Sequence, residues 1–312
     1  MRAILPLLLL TAGLAACSSP TPSDHADQST PVETASFAPT DPAQIRNYWY
    51  AGDAEIASYT LTQARYGELR QGDAVIVFVT EPFSKSKQVK LDYGGGEDEV
   101  QVLKMNQTRS FNTGIYPYSM MTSTFSPMDG GPALKATTSS QEWCGHTWTQ
   151  MNLEEGHRYR FEQRSYFESE GDQNATLTSG MLEDDLWSEV RLLHPDQLPP
   201  EVEVNLIPSL QFLRLRHLPV QPYKATITTK YGRAGESMLL VEYKDIERSL
   251  ALFFTTEFPH TIERWEETYR SGVGPSAEVM TTTGVLNKRI KAPYWNLNRN
   301  ADAHYRTELG LD

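Results

Sequence analysis

The sequence predicts a mainly β protein: a large antiparallel curved sheet, sandwich or partly open barrel, with one or two short helices. Three observations point there. Strand-length runs rich in β-branched and aromatic residues recur along the chain, bounded by Gly, Pro, Asn or Asp. In the second half such runs follow one another across short polar connections, the pattern of a meander. A single stretch carries apolar residues at clear helical spacing.

Strands are predicted from Tyr48 onward. Ala54 to Tyr66 sets Ile56, Tyr59, Leu61 and Tyr66 among Thr, Ser and Ala, which suits a strand. Asp73 to Thr80 contains the unbroken run Val75-Ile76-Val77-Phe78-Val79, which suits a strand buried on both faces. Gly94-Gly95-Gly96 reads as a turn between strands at Gln88–Tyr93 and Glu99–Met105. Leu134–Gln150 and His157–Phe167 read as strands joined across Asn152–Gly156.

Leu182, Leu186, Val190 and Leu193 mark the helix, with Glu183, Asp184 and Asp185 in a first turn where the helix dipole favours acids. His194-Pro195 ends it. Asp196-Gln197-Leu198-Pro199-Pro200 is the best internal boundary, dividing a β-rich part at 44–200 from a β-meander part at 201–312, or joining them in one domain. Tyr223–Lys230, Ser237–Tyr243 and Ser249–Thr256 form the meander, and Met280–Lys291 adds one or two strands.

Composition narrows the function classes. The 312 residues are 39% apolar and 10% aromatic, enough for a sizeable core. A net charge of −12 leaves no basic excess for phosphates, so no nucleic-acid partner is expected. The 2 Cys do not make a disulfide scaffold. No phosphate loop, nucleophile elbow or zinc-protease helix motif is present, so no cofactor and no metal are expected.

The N-terminus predicts export. Arg2 precedes an apolar run from Ala3 to Ala12, too short for a membrane span, which takes about 20 residues. Leu14-Ala15-Ala16-Cys17 resembles the bacterial lipobox, which implies a signal peptide at 1–16 and acylation of Cys17. Ser18 in the next position favours the outer membrane of a Gram-negative cell, with the body in the periplasm. Ser, Thr, Pro, Asp and Ala then dominate through residue 43, as in a flexible tether. The lipid bilayer is therefore the expected partner, through acylated Cys17.

Several segments resemble a family of uncharacterised bacterial lipoproteins sometimes labelled "septum formation inhibitor Maf". They are Tyr48-Trp49-Tyr50-Ala51-Gly52-Asp53-Ala54-Glu55-Ile56, Thr80-Glu81-Pro82-Phe83-Ser84, Phe111 to Met121, and Gln141-Glu142-Trp143-Cys144-Gly145-His146. The true Maf pyrophosphatases carry an N-terminal Ser-rich motif with paired Arg. That motif is absent here, and the resemblance implies location and architecture without an activity.

Four constellations are candidates for function. Glu142, Cys144 and His146 would share one face of a strand, with the alternative of a periplasmic hydrolase or metal-binding site against a buried structural thiol. Tyr116, Tyr118 and Met120 form an aromatic and Met surface suited to an apolar ligand or a partner protein, against a reading as core. Tyr294 and Trp295 either cap a sheet or line a pocket mouth. Glu263, Glu266 and Glu267 read as an acidic edge beside buried Trp265, or as paired carboxylates for acid–base chemistry. The leading expectation is a non-enzymatic envelope lipoprotein that binds an envelope protein or another envelope component. The alternative is a carrier of an apolar ligand in a curved sheet.

Overall fold

The computed structural model describes residues 41–178, 181–231 and 235–311. The expected signal peptide, Cys17 and the tether as far as residue 40 lie outside the described residues. Residues 41–43 are not tether: Asp41 caps helix α1 (Pro42–Trp49), its carboxylate accepting from Ala43 N at 2.9 Å. Pro at the first helical position suits this start. Trp49 closes the helix and is buried.

The body is mainly β. Its strands are β1 (Ala54–Arg65), β2 (Glu68–Ser84), β3 (Glu99–Thr113), β4 (Tyr116–Pro127), β5 (Lys135–Glu142), β6 (Gly145–Glu154), β7 (Arg158–Ser165), β8 (Gln173–Leu177), β9 (Glu201–Leu206), β10 (Tyr223–Tyr231), β11 (Glu236–Tyr243), β12 (Arg248–Thr255), β13 (Ile262–Ser271) and β14 (Glu278–Ala292). They form one 14-stranded sheet in the order β8-β7-β6-β5-β4-β3-β2-β1-β14-β13-β12-β11-β10-β9. Every pairing is antiparallel. Two sequential meanders meet where β1 pairs with β14, and strands from both sides of residue 200 share the sheet. β8 and β9 are its edges, so the sheet does not close into a barrel.

The chain passes from one edge to the other through two short 3₁₀ turns (Glu183–Asp185 and Pro195–Gln197) and helix α2 (Leu186–Leu192). A third helix, α3 (Leu210–Arg216), follows β9. The sheet curves around these helices. Trp187 of α2 meets Trp265 of β13 at 5.4 Å between ring centres, while Arg191 reaches Glu55 on β1 and lies over Phe78 on β2. Phe212 of α3 packs on Tyr269 of β13, and Arg214 Nε donates to Thr147 Oγ on β6 at 2.9 Å. Only a wrapped sheet brings such distant strands to two helices of seven residues each.

Trp265 shows how the pattern sets the core. It is fully buried against Tyr59 and Trp187, and its ring lies over its cross-strand partner Gly284. A Cβ at position 284 would sit 2.0 Å from that ring, so only Gly fits there.

The three meander strands lie within a residue of their expected bounds, and β13 joins them from the segment read as an acidic edge. Glu267 on that strand is buried, with Arg109 Nη2 donating to it at 2.6 Å, whereas Glu263 is exposed. The Asp73–Thr80 run sits inside the longer β2. Its inner face enters the main core, and Val75 and Val77 on the other face pack with Leu309 and Ile290. The C-terminal segment, which includes helix α4 (His304–Glu308), covers that outer face.

Two expectations are corrected. Gln88–Tyr93 is not a strand: it makes one isolated bridge, Lys90 to Phe83. Leu134–Gln150 is two strands, broken by a turn at Trp143-Cys144. Helix α3 is an element that the sequence pattern did not mark; its seven residues are mostly buried, with Arg214 and Arg216 partly exposed in the last turn.

Candidate functional site

One concave feature is an open cleft of about 800 Å³, within the roughly 300–1,000 Å³ usual for small-molecule sites. Three elements build its walls. Helix α1 contributes Ile45, and Tyr50 follows it. The loop after β4 contributes Met128 with Gly130 and Gly131. The end of α2 contributes Leu192 and Leu193. Gly130 and Gly131 have φ of +93° and +103°, which lets the loop turn back along the cleft rim.

The floor carries two acids, Asp185 and Glu189, four residues apart on one face of the same turn of chain. A second, smaller cavity lined by His157, Met181 and Leu182 shares the same two carboxylates. Asp185 is tied in place: Ser126 Oγ donates to Oδ1, and Ala133 N donates to Oδ2 at 2.6 Å. Glu189 is half-buried, and among the described residues its carboxylate has no hydrogen-bond or ion-pair partner. Burial raises both carboxyls above their ordinary range, and the Asp185 charge raises Glu189 further.

The three consecutive acids of the first turn serve different ends. Glu183 forms a two-point ion pair with Arg248, whose Nη2 donates at 2.6 Å. Asp184 accepts from Leu210 N at 3.0 Å, at the start of α3, and burial pushes its carboxyl up to about 7. Asp185 holds the loop that walls the cleft. Next to the cleft, Arg191 donates to Glu55 twice, at 2.5 and 2.8 Å. Tyr48 also donates to Glu55, and Arg289 Nη1 lies 3.2 Å from it. Burial alone would raise the Glu55 carboxyl, but the Arg191 guanidinium overrides it and holds it at about 2.

The expected site residues take other places. Glu142 ends β5, Cys144 sits in the two-residue turn and His146 follows Gly145 on β6. A hairpin therefore separates residues that a continuous strand would align. Glu142 Oε2 accepts from Cys144 N at 2.5 Å and caps the turn. A hydrogen bond from the thiol itself to Glu142, together with the Glu142 charge, pushes the Cys144 thiol up, away from the thiolate. Cys144 is exposed rather than buried, and Trp143 beside it is 68% exposed rather than packed in a strand.

Tyr118 and Met120 are buried in the core, with Tyr118 stacked on Phe111 at 4.9 Å. Tyr116 is half-buried and tilts against Trp143 at 6.4 Å. Tyr294 and Trp295 form a partly exposed edge-on pair at 5.5 Å in the C-terminal segment, away from the cleft walls. Among the described residues no group of three His, Cys, Asp or Glu gathers at metal-binding spacing.

Sequence reasoning missed Glu189 and the separate fates of the three acids. The available signal was Glu189 four residues after Asp185, in a helix whose other face is Leu, Trp and Val.

No family model and no curated protein matches the chain. Two solved structures are similar in part. One is a β-barrel-like protein of a domain of unknown function from Brucella abortus. It is 11% identical, with 77% of this chain and 98% of that chain covered at a TM-score of 0.40. The other is a porin-like protein from Bacteroides uniformis, 10% identical, with 75% and 95% covered at a TM-score of 0.22.

Proposed function

We propose that this chain is a non-enzymatic lipoprotein of the outer membrane, held by acylated Cys17, whose body binds an apolar ligand in the cleft between α1, the loop after β4 and α2. The single observation that carries the reading is the cleft itself: an open cleft of about 800 Å³ walled by Ile45, Tyr50, Met128, Leu192 and Leu193. Apolar walls with a few convergent polar groups are what a small-molecule site requires. The lipobox-like Leu14-Ala15-Ala16-Cys17 supports the anchor. No described helix is long and apolar enough to cross a membrane, which a lipid-anchored body does not need.

The test is a titration of the full chain carrying Cys17→Ser with the neutral fluorescent probe N-phenyl-1-naphthylamine. The reading expects a saturable one-to-one rise in fluorescence. Leu192→Trp, which fills the cleft, should abolish it while leaving circular dichroism unchanged. Absence of saturable binding, or binding that ignores the filled cleft, overturns the reading.

A further inference from the structure

The cleft has an apolar wall and an unanswered acidic floor. Asp185 has both oxygens occupied by donors from the β4 side. Glu189 lines the cleft with no donor and no cation within reach among the described residues. A half-buried carboxylate without a partner is costly, because the charged form has lost part of its water and gained nothing in return. A ligand that brings a hydrogen-bonding positive charge removes that cost. We propose that the cleft takes amphipathic amines: the alkyl chain lies along Ile45, Met128, Leu192 and Leu193, and the protonated amino group donates to Glu189 beside Asp185. This rests on the apolar-cleft reading and names its ligand class.

The neighbouring groups agree with that assignment. Arg46 of α1 lines the mouth but is exposed and makes no ion pair with either acid among the described residues. Asp129 from the loop after β4 adds a further negative group at the rim. His157 and Met181 face the pair across the smaller cavity, and Tyr159 of β7 lies close enough to feel both charges. The balance of these groups is negative, so a carboxylate-headed ligand is disfavoured. Among the described residues no three His, Cys, Asp or Glu gather there, and the apolar wall beside the two carboxylates suits an organic cation with an alkyl chain.

The ligand's affinity should depend on pH. Burial makes both carboxyls hold their protons above the ordinary range, so the floor gains negative charge only towards neutral and alkaline pH. Amine binding strengthens in the same direction, while binding of a neutral chain does not change.

The experiment uses the full chain with Cys17→Ser, titrated calorimetrically at pH 8 with decylamine, 1-decanol and decanoate below their aggregation limits. The expected result is decylamine tighter than decanol by about tenfold or more, and decanoate weakest. Glu189→Gln should bring decylamine to within about threefold of decanol. This variant suits the purpose because, among the described residues, the Glu189 carboxylate holds no hydrogen bond whose loss would disturb the fold. Decanol and decylamine binding equally, or an amine preference that survives Glu189→Gln, overturns the amine assignment and leaves the apolar cleft standing. If none of the three binds, both readings fail.

Discussion

Glu55 and Arg191 show what a single residue decides. Both are buried, and each is the other's main partner. Removing one charge leaves the other uncompensated, at a cost of ~3–5 kcal/mol for a buried pair. Glu55→Gln is therefore expected to lower the unfolding free energy by about 3 kcal/mol, read from urea denaturation. The neighbouring Arg289, which is partly exposed, cannot relieve the Arg191 charge and would add to it. Gly284→Ala is expected to cost about 1–3 kcal/mol, because the new methyl meets the Trp265 ring. Gly284→Ala with Trp265→Leu should recover part of that loss, which separates the clash from a strand-propensity effect. At this scale the sequence was legible where the side chain is apolar. Trp265 reads as buried from its surroundings, and it is. Residues defined by a partner were not legible: Glu55 and Arg191 are 136 positions apart, and nothing local announces that they meet. The Glu142, Cys144 and His146 alignment failed for a different reason. Trp143-Cys144-Gly145 lacks the usual Asn-Gly or Asp-Gly turn signal, so the hairpin was invisible.

Elements were more legible when their pattern was local. β10, β11 and β12 were visible because polar turns separate short alternating runs. The β2 run was correctly apolar on both faces, but its outer cover comes from the far C-terminus, which no local pattern identifies. Leu309→Ala should loosen that cover and cost about 2 kcal/mol, with a matching fall in the thermal midpoint.

The acidic segment from Glu183 to Glu189 gives the pH behaviour. Asp184, raised to about 7 by burial, binds its proton more tightly folded than unfolded. Its contribution to stability therefore grows as pH falls from about 7 toward 4, and Asp185 and Glu189 act in the same direction. His260, held down to about 4 by burial, opposes them over this range, but it is one group against three. Glu55 has the opposite sign to the three acids: with its folded value at about 2, the stability it confers is lost as pH falls from about 4.5 to about 2. The urea midpoint is expected to rise on acidification from pH 8 to about 5 and to fall below pH 4. Glu189→Gln should flatten the rise and spare the fall.

The whole molecule follows from one topological fact. Two up-and-down meanders meet at β1 and β14, so the sheet's two free edges are left at β8 and β9. The chain crosses from one edge to the other as α2, and the curved sheet wraps that helix. The mainly β, antiparallel class was legible from turn spacing. The single continuous sheet was not, because pairing between β1 and β14 joins residues more than 200 positions apart. The cleft was illegible for the same reason: its walls come from residues 42–50, 126–131 and 185–197.

The most direct test of the apolar cleft is calorimetric titration of the Cys17→Ser chain with 1-decanol at several temperatures. The account predicts one saturable site whose binding enthalpy becomes more negative on warming, since burial of apolar surface gives a negative heat-capacity change. It also predicts that Leu192→Trp abolishes the heat. A chain that gives no heat at any temperature, or a signal unchanged by Leu192→Trp, would contradict it.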